Sequence, residues 1–210
     1  MGCDYRCSRS KLLELKLLKK DPLENADEFT KMLLKLGNEF EPAALSAFQL
    51  AFRKRKLSFN GYVPGMTPHP NFKWFTGTPD YIMDLNGYKC VVEIKTHWNE
   101  SPETATPISC VQCIPLRHWL QVQAYLEILD LQIGYLWSWT INHGSSCFRI
   151  NREKMFWDSI VFPEVLFFRS VYEGKHRYKN GLTFKLGEAI SSRQDKKCHH
   201  YLHIVVYDKW

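Results

Sequence analysis

Two carboxylates and an ammonium, Asp80, Glu93 and Lys95, bracket the dipeptide Asn86-Gly87. Asn-Gly is the preferred pair for a two-residue hairpin turn, because both positions need positive φ. Counting back from that turn pairs Leu85 with Tyr88, Asp84 with Lys89, Met83 with Cys90, Ile82 with Val91, Tyr81 with Val92 and Asp80 with Glu93. Opposed residues of an antiparallel pair share a face, with Cβ atoms about 4.5–5.5 Å apart. Lys95 lies two residues past Glu93 and shares that face. Like charges so close raise each other's pKa unless a cation stands between them. Hard oxygen ligands with open positions suit Mg²⁺ or Mn²⁺. A lysine beside such an ion can orient or deprotonate a water, and that set serves phosphodiester hydrolysis. A surface hairpin with a cross-strand ion pair is the plainer alternative. The order of Asp, tight turn and Glu-x-Lys closing an apolar strand favours the catalytic reading.

The elements that must position these groups lie on either side. Glu41, Leu45, Phe48 and Phe52 recur at helical spacing, so Glu41 heads an apolar stripe. A carboxylate there needs a partner or a metal, unless it only caps the helix ahead of Pro42. Arg53-Lys54-Arg55-Lys56 closes this segment. Its cations complement a helix C-terminus and can follow a phosphate backbone, so Arg53 and Arg55 are candidate DNA contacts. Upstream, Leu12 to Lys20 predicts a first helix. Asp21-Pro22-Leu23-Glu24 supplies an N-cap, a proline at N1 and a glutamate at N3 for a second helix reaching about Leu36. Arg6, Ser8 and Ser10 could bind phosphate, or belong to a solvated tail.

Downstream, residues 57–75 predict an ordered loop with one short strand, and residues 96–114 a second loop. Pro115 opens a helix through about Asp130, placing His118, Gln121 and Tyr125 on one face. Gln123 is about 200° from Gln121 on a helical wheel, so only one faces the site with Tyr125, and Gln121 is the choice. Its amide could hold a water or a phosphate. Ile133–Ile141 and Ser145–Ile150 predict a strand pair, followed by a helix from about Glu153 to Tyr172. In the tail, Cys198-His199-His200 with His203 lacks a second ligand pair and reads as basic and solvated.

Pro79-Asp80 followed by Glu93-Ile94-Lys95 resembles the PD-(D/E)xK nuclease core. Gly37 to Ala44, read as Gly-x-x-x-Glu-Pro-x-Ala, is similar to the helical motif of YqaJ-type viral recombinases and the phage lambda exonuclease branch. Gln121-x-x-x-Tyr125 resembles the motif after the Glu-x-Lys strand in RecB-like nucleases. The likeness runs in motif order over about residues 35–172. It implies an α/β fold with a restriction-endonuclease-like mixed central sheet flanked by helices. It also implies a 5′→3′ exodeoxyribonuclease of DNA recombination, repair or replication. Asp80, Glu93 and the Ile94 carbonyl would be metal ligands, with Glu41 joining directly or through water, and Lys95 and Gln121 catalytic. Arg6, Ser8 and Ser10 resemble the branch's phosphate-contacting pattern. Family likeness further suggests double-stranded DNA with free ends, a homo-oligomer and a single-strand annealing protein as partners. An endonuclease of the same fold, a catalytically silent DNA-binding protein and an RNA endonuclease remain alternatives. The domain division expected is an N-terminal helical segment 1–36, a nuclease core 37–175 and a C-terminal extension 176–210.

Composition is consistent with this. The chain has 210 residues, 45% hydrophobic, and a net charge of +6, which suits a polyanionic partner. Seven cysteines without framework spacing point to a reduced, intracellular setting, cytoplasm or nucleus. Cys110 and Cys113 could bind zinc with Cys3 and Cys7 only if the N-terminus folds back. No apolar run is long enough for a membrane span. Met1-Gly2 is not followed by the apolar core of a signal peptide, and Arg6 breaks a myristoylation pattern.

Overall fold

The computed structural model describes residues 9–21, 24, 26–97, 114–141 and 144–175. These form two compact units, residues 32–152, and residues 9–31 with 153–175. Cys3, Cys7, Cys110, Cys113 and the tail from residue 176 lie outside the described residues.

The larger unit is an α/β fold around a five-stranded sheet of order β1-β4-β5-β6-β7. Its strands are β1 (Phe59–Tyr62), β4 (Tyr81–Leu85), β5 (Tyr88–His97), β6 (Ile133–Thr140) and β7 (Gly144–Asn151). Only β5 and β6 pair in parallel. A parallel step needs a crossover, and α3 (Leu116–Ile128) lies within it. Two further short strands, β2 (Thr67–Pro68) and β3 (Thr76–Gly77), pair with each other. The segment 57–75 thus carries two strands, where composition suggested one.

Helix α2 (Glu28–Lys54) lays Ala44, Phe48, Ala51 and Phe52 on one face of the sheet, against Tyr81, Met83, Val92, Ile94 and Trp137. On the opposite face, α3 approaches at Gly134, where a Cβ would come within 2.5 Å of Val122. The alternation of β5 sends Val92 and Ile94 toward α2, and Glu93 and Lys95 toward the other face.

Two sequence expectations are corrected by α2. It is one helix rather than two, with Pro42 inside it. A proline here deprives the Asn38 carbonyl of its helical donor, yet the buried stripe beyond it holds the helix together. The cap is Asp27 rather than Asp21. Asp27 accepts the Thr30 backbone N–H at 2.6 Å and the Thr30 hydroxyl at 3.1 Å. Asp21 instead closes a turn, its carbonyl accepting the Glu24 N–H at 3.1 Å.

In the smaller unit, α1 spans Arg9–Leu17, ending earlier than leucine spacing suggested, where Lys19 takes a φ of 52°. The expected helix after Glu153 is broken in type. Lys154–Phe156 (α4) leads into a π-helical turn, Trp157–Val161, before α5 (Phe162–Tyr172). Pro163 follows that turn directly. Its ring would crowd the Ser159 carbonyl in an α-helix, and a wider turn relieves it. Among the described residues no helix is long and apolar enough to cross a membrane.

Candidate active site

Asn86 and Gly87 have φ of 54° and 86°, the left-handed pair that a type I′ turn demands. The pairs from Leu85–Tyr88 to Tyr81–Val92 form as counted from that turn. This register carries Asp80 and Glu93 to one end of the sheet. There Asp80 Oδ2 accepts the Ile94 N–H at 2.7 Å.

Glu93 is 1% exposed. Its Oε1 accepts from Lys95 Nζ, while Oε2 is buried with no hydrogen-bond partner. Burial pushes its carboxyl up to about 8, helped by the Asp80 charge and opposed by Lys95. Burial also raises Asp80, against the Ile94 N–H and Lys95. Each carboxyl bears on the other, which places Asp80 and Glu93 side by side. Glu41, partly buried on α2, is raised by burial and by Asp80, and lowered by Lys95. Helix α2 thus brings a third carboxylate within electrostatic reach. Among the described residues no three His, Cys, Asp or Glu side chains converge to hold a metal.

From α3, Gln121 Nε2 donates to Tyr125 Oη at 2.9 Å, and Tyr125 Oη donates to the Thr78 carbonyl at 3.2 Å. Tyr125 therefore pins the backbone two residues before Asp80. Burial, and next the Glu93 charge, hold its phenol well above the ordinary value, so it stays neutral. Gln123 points away, buried and donating to the Asn151 carbonyl at 2.8 Å. His118 is buried and receives the Arg117 Nε–H at 3.3 Å.

Arg53 and Arg55 stand exposed at the far end of α2. Arg53 lies twelve residues past Glu41, about 18 Å along the axis, and Arg55 follows just beyond the last helical residue, Lys54. Arg6 and Ser8 are outside the described residues, and of Ser10 only the helical backbone is described.

Three residues near the site were not apparent in the sequence. A Cβ at Gly77 would come within 2.8 Å of the Tyr125 ring, so this glycine lets α3 approach the strand. Its place just before Thr78-Pro79-Asp80 is a signal that could have found it. Ser138 stands beside Lys95 on β6, with Ser146 next in line on β7, both buried. Nothing local could reveal them, because the β5–β6 register is settled across a long crossover.

The model of the YqaJ-like viral recombinase domain matches residues 1–132. No curated protein sequence matches. Among solved structures, the chain is similar to an alkaline exonuclease, LHK-Exo, from Laribacter hongkongensis, at 17% identity and a TM-score of 0.53. That match covers 90% of this chain and 82% of the exonuclease. LHK-Exo in complex with dAMP is similar to the same extent, at 18% identity and a TM-score of 0.53, over 90% and 82% of the two chains.

Proposed function

This chain belongs to the YqaJ-like viral recombinase domain family, and from that premise we propose that it is a metal-dependent deoxyribonuclease. The reading is of a 5′→3′ exonuclease that degrades duplex DNA from free ends in recombination, repair or replication. One observation carries it. Glu93 is buried beside Asp80 with one oxygen on Lys95 and the other without a partner. A buried polar atom left open is costly, and an all-oxygen pair of this kind fits a hard cation. The fold shared with an alkaline exonuclease accords with that chemistry.

Asp80, Glu93 and the Ile94 carbonyl would hold Mg²⁺, or Mn²⁺, with Glu41 completing the shell directly or through water. When bound, the ion polarises the scissile phosphate and offsets the charge that develops on its oxygens. The remaining steps belong to the chain's own side chains. Lys95, held as an ammonium by Glu93, orients the attacking water and offsets the charge that develops on it, while the water's proton passes to solvent. The water oxygen bonds to phosphorus as the P–O3′ bond breaks. Gln121 presents its amide to the water or to a phosphate oxygen. Tyr125 fixes the Thr78–Asp80 backbone beneath the substrate strand. Arg53 and Arg55 meet phosphates farther along the duplex, and Arg6, Ser8 and Ser10 those near its end. A homo-oligomer and a single-strand annealing partner are further proposals from family membership.

The test is digestion of end-labelled linear duplex beside covalently closed circular DNA, with Mg²⁺, by wild type and Lys95→Ala. Loss of the linear DNA alone, from 5′ ends and only with Lys95 present, is the expected result. Cutting of the circle would make the protein an endonuclease. Binding without any cleavage would remove the catalytic assignment.

A further inference from the structure

The connection between β1 and β4 leaves the sheet at Tyr62, which pairs with Ile82, and returns at Asp80. Both ends of residues 63–80 therefore stand at the sheet end that carries Asp80, Glu93 and Lys95. Neighbouring strands are about 4.8 Å apart, so the departure point is beside the site.

This excursion is braced. Thr67–Pro68 pairs with Thr76–Gly77. The His69 N–H donates to the Phe75 carbonyl at 2.8 Å, and the Phe75 N–H to the Phe72 carbonyl at 2.8 Å. Phe75 is 6% exposed and anchors the turn. Around it, ring centroids lie 5.1 Å apart for His69 and Phe72, 6.1 Å for Phe72 and Trp74, and 5.9 Å for Trp74 and Phe75. Trp74 is nevertheless 37% exposed, and Lys73 beside it is exposed.

An indole 37% exposed on a turn braced by paired strands, beside an exposed cation, matches a nucleobase followed by its phosphate. Stacking on an aromatic ring accepts any base, since every base has a π-face. Five residues lie between Trp74 and Asp80, and the six steps of chain span at most about 20–22 Å. At about 3.4 Å per nucleotide, that is within about six nucleotides of the bond to be cut.

We propose that the β1–β4 connection is a base-stacking platform. Trp74, supported by Phe72 and His69, takes the face of an unpaired base of the substrate DNA strand, and Lys73 meets the adjoining phosphate. The substrate class rests on the deoxyribonuclease reading above.

The experiment is fluorescence anisotropy of a labelled single-stranded oligodeoxynucleotide, in chelator, with wild type, Trp74→Ala and Trp74→Phe. The same strand carrying abasic sites is titrated in parallel. Trp74→Ala should weaken binding of the intact strand about fivefold to a hundredfold, with Trp74→Phe keeping most of the affinity. The abasic strand should bind wild type and Trp74→Ala alike. An equal loss on intact and abasic strands, or no loss on either, overturns the platform. Equal binding of intact and abasic strands by wild type overturns it without any variant, so a folding failure of Trp74→Ala leaves the test standing. The digestion of linear duplex separates the two readings. Cleavage without base-dependent binding sinks the platform alone. Base-dependent binding that needs Trp74, without cleavage, sinks the nuclease reading alone.

Discussion

Glu127, 4% exposed, gives both carboxylate oxygens to Arg152 at 2.7 Å each, and Arg152 also donates to Asp130 at 2.6 Å. Glu93, 1% exposed in the same unit, gives one oxygen to Lys95 and keeps the other without a partner. Burying an ion pair is repaid only when its geometry is complete and its remaining lone pairs are satisfied. The Arg152 clamp meets that condition and ties the end of α3 to the end of β7. The sheet end at Glu93 does not, and burial drives its carboxyl up to about 8. A chain that can satisfy one buried carboxylate fully and leaves another open holds the second ready for a further ligand. On the function proposed above, the closed carboxylate serves the structure and the open one the chemistry.

The contrast is sharpest when each side loses its cation. Lys95→Ala should lower the rate of single-turnover digestion by about 10²–10⁴-fold, with the folded state intact. A variant that still digests at the wild-type rate would erase the distinction. Arg152→Ala should do the reverse. It leaves Glu127 buried and unpaired, a loss of about 3–5 kcal/mol in urea unfolding. Activity per folded molecule should stay unchanged, and a loss of activity without loss of stability would place Arg152 in the site.

The pH dependence of stability reads the open carboxylate directly. Glu93 binds its proton more tightly folded than unfolded, so its contribution is full below 4.5 and lost as pH rises to about 8. Glu93→Gln is neutral throughout. The melting temperature of metal-free wild type should therefore fall relative to the variant between pH 5 and pH 8. Saturating Mg²⁺ should recover the wild type and not the variant. A rising wild-type curve over that range would show that Glu93 is already satisfied. The smallest effect is expected of Tyr125→Phe, which removes the hydrogen bond to the Thr78 carbonyl and the one accepted from Gln121. A two- to tenfold fall in turnover corresponds to the roughly 0.5–1.5 kcal/mol of such a bond.

What the sequence determined by itself is local. The turn at Asn86-Gly87 and the alternation of its flanking strands settle the register and bring Asp80, Glu93 and Lys95 to one face, because each step involves neighbours in the chain. The spacing of Gln121 and Tyr125 likewise put them on one face, where the structure joins them by a hydrogen bond. Helix ends were less legible. Asp21, with Pro22 and Glu24 behind it, predicts the cap, but Asp27 precedes the segment whose apolar stripe is buried. Tertiary structure alone decided the rest. It carried Glu41 on α2 to within reach of Asp80 and Lys95, set Ser138 beside Lys95, seated Tyr125 on Gly77 and closed Arg152 on Glu127. Those meetings join residues far apart in the chain. The packing of α2 and α3 on opposite faces of the sheet, and a parallel register that no turn specifies, determine them together.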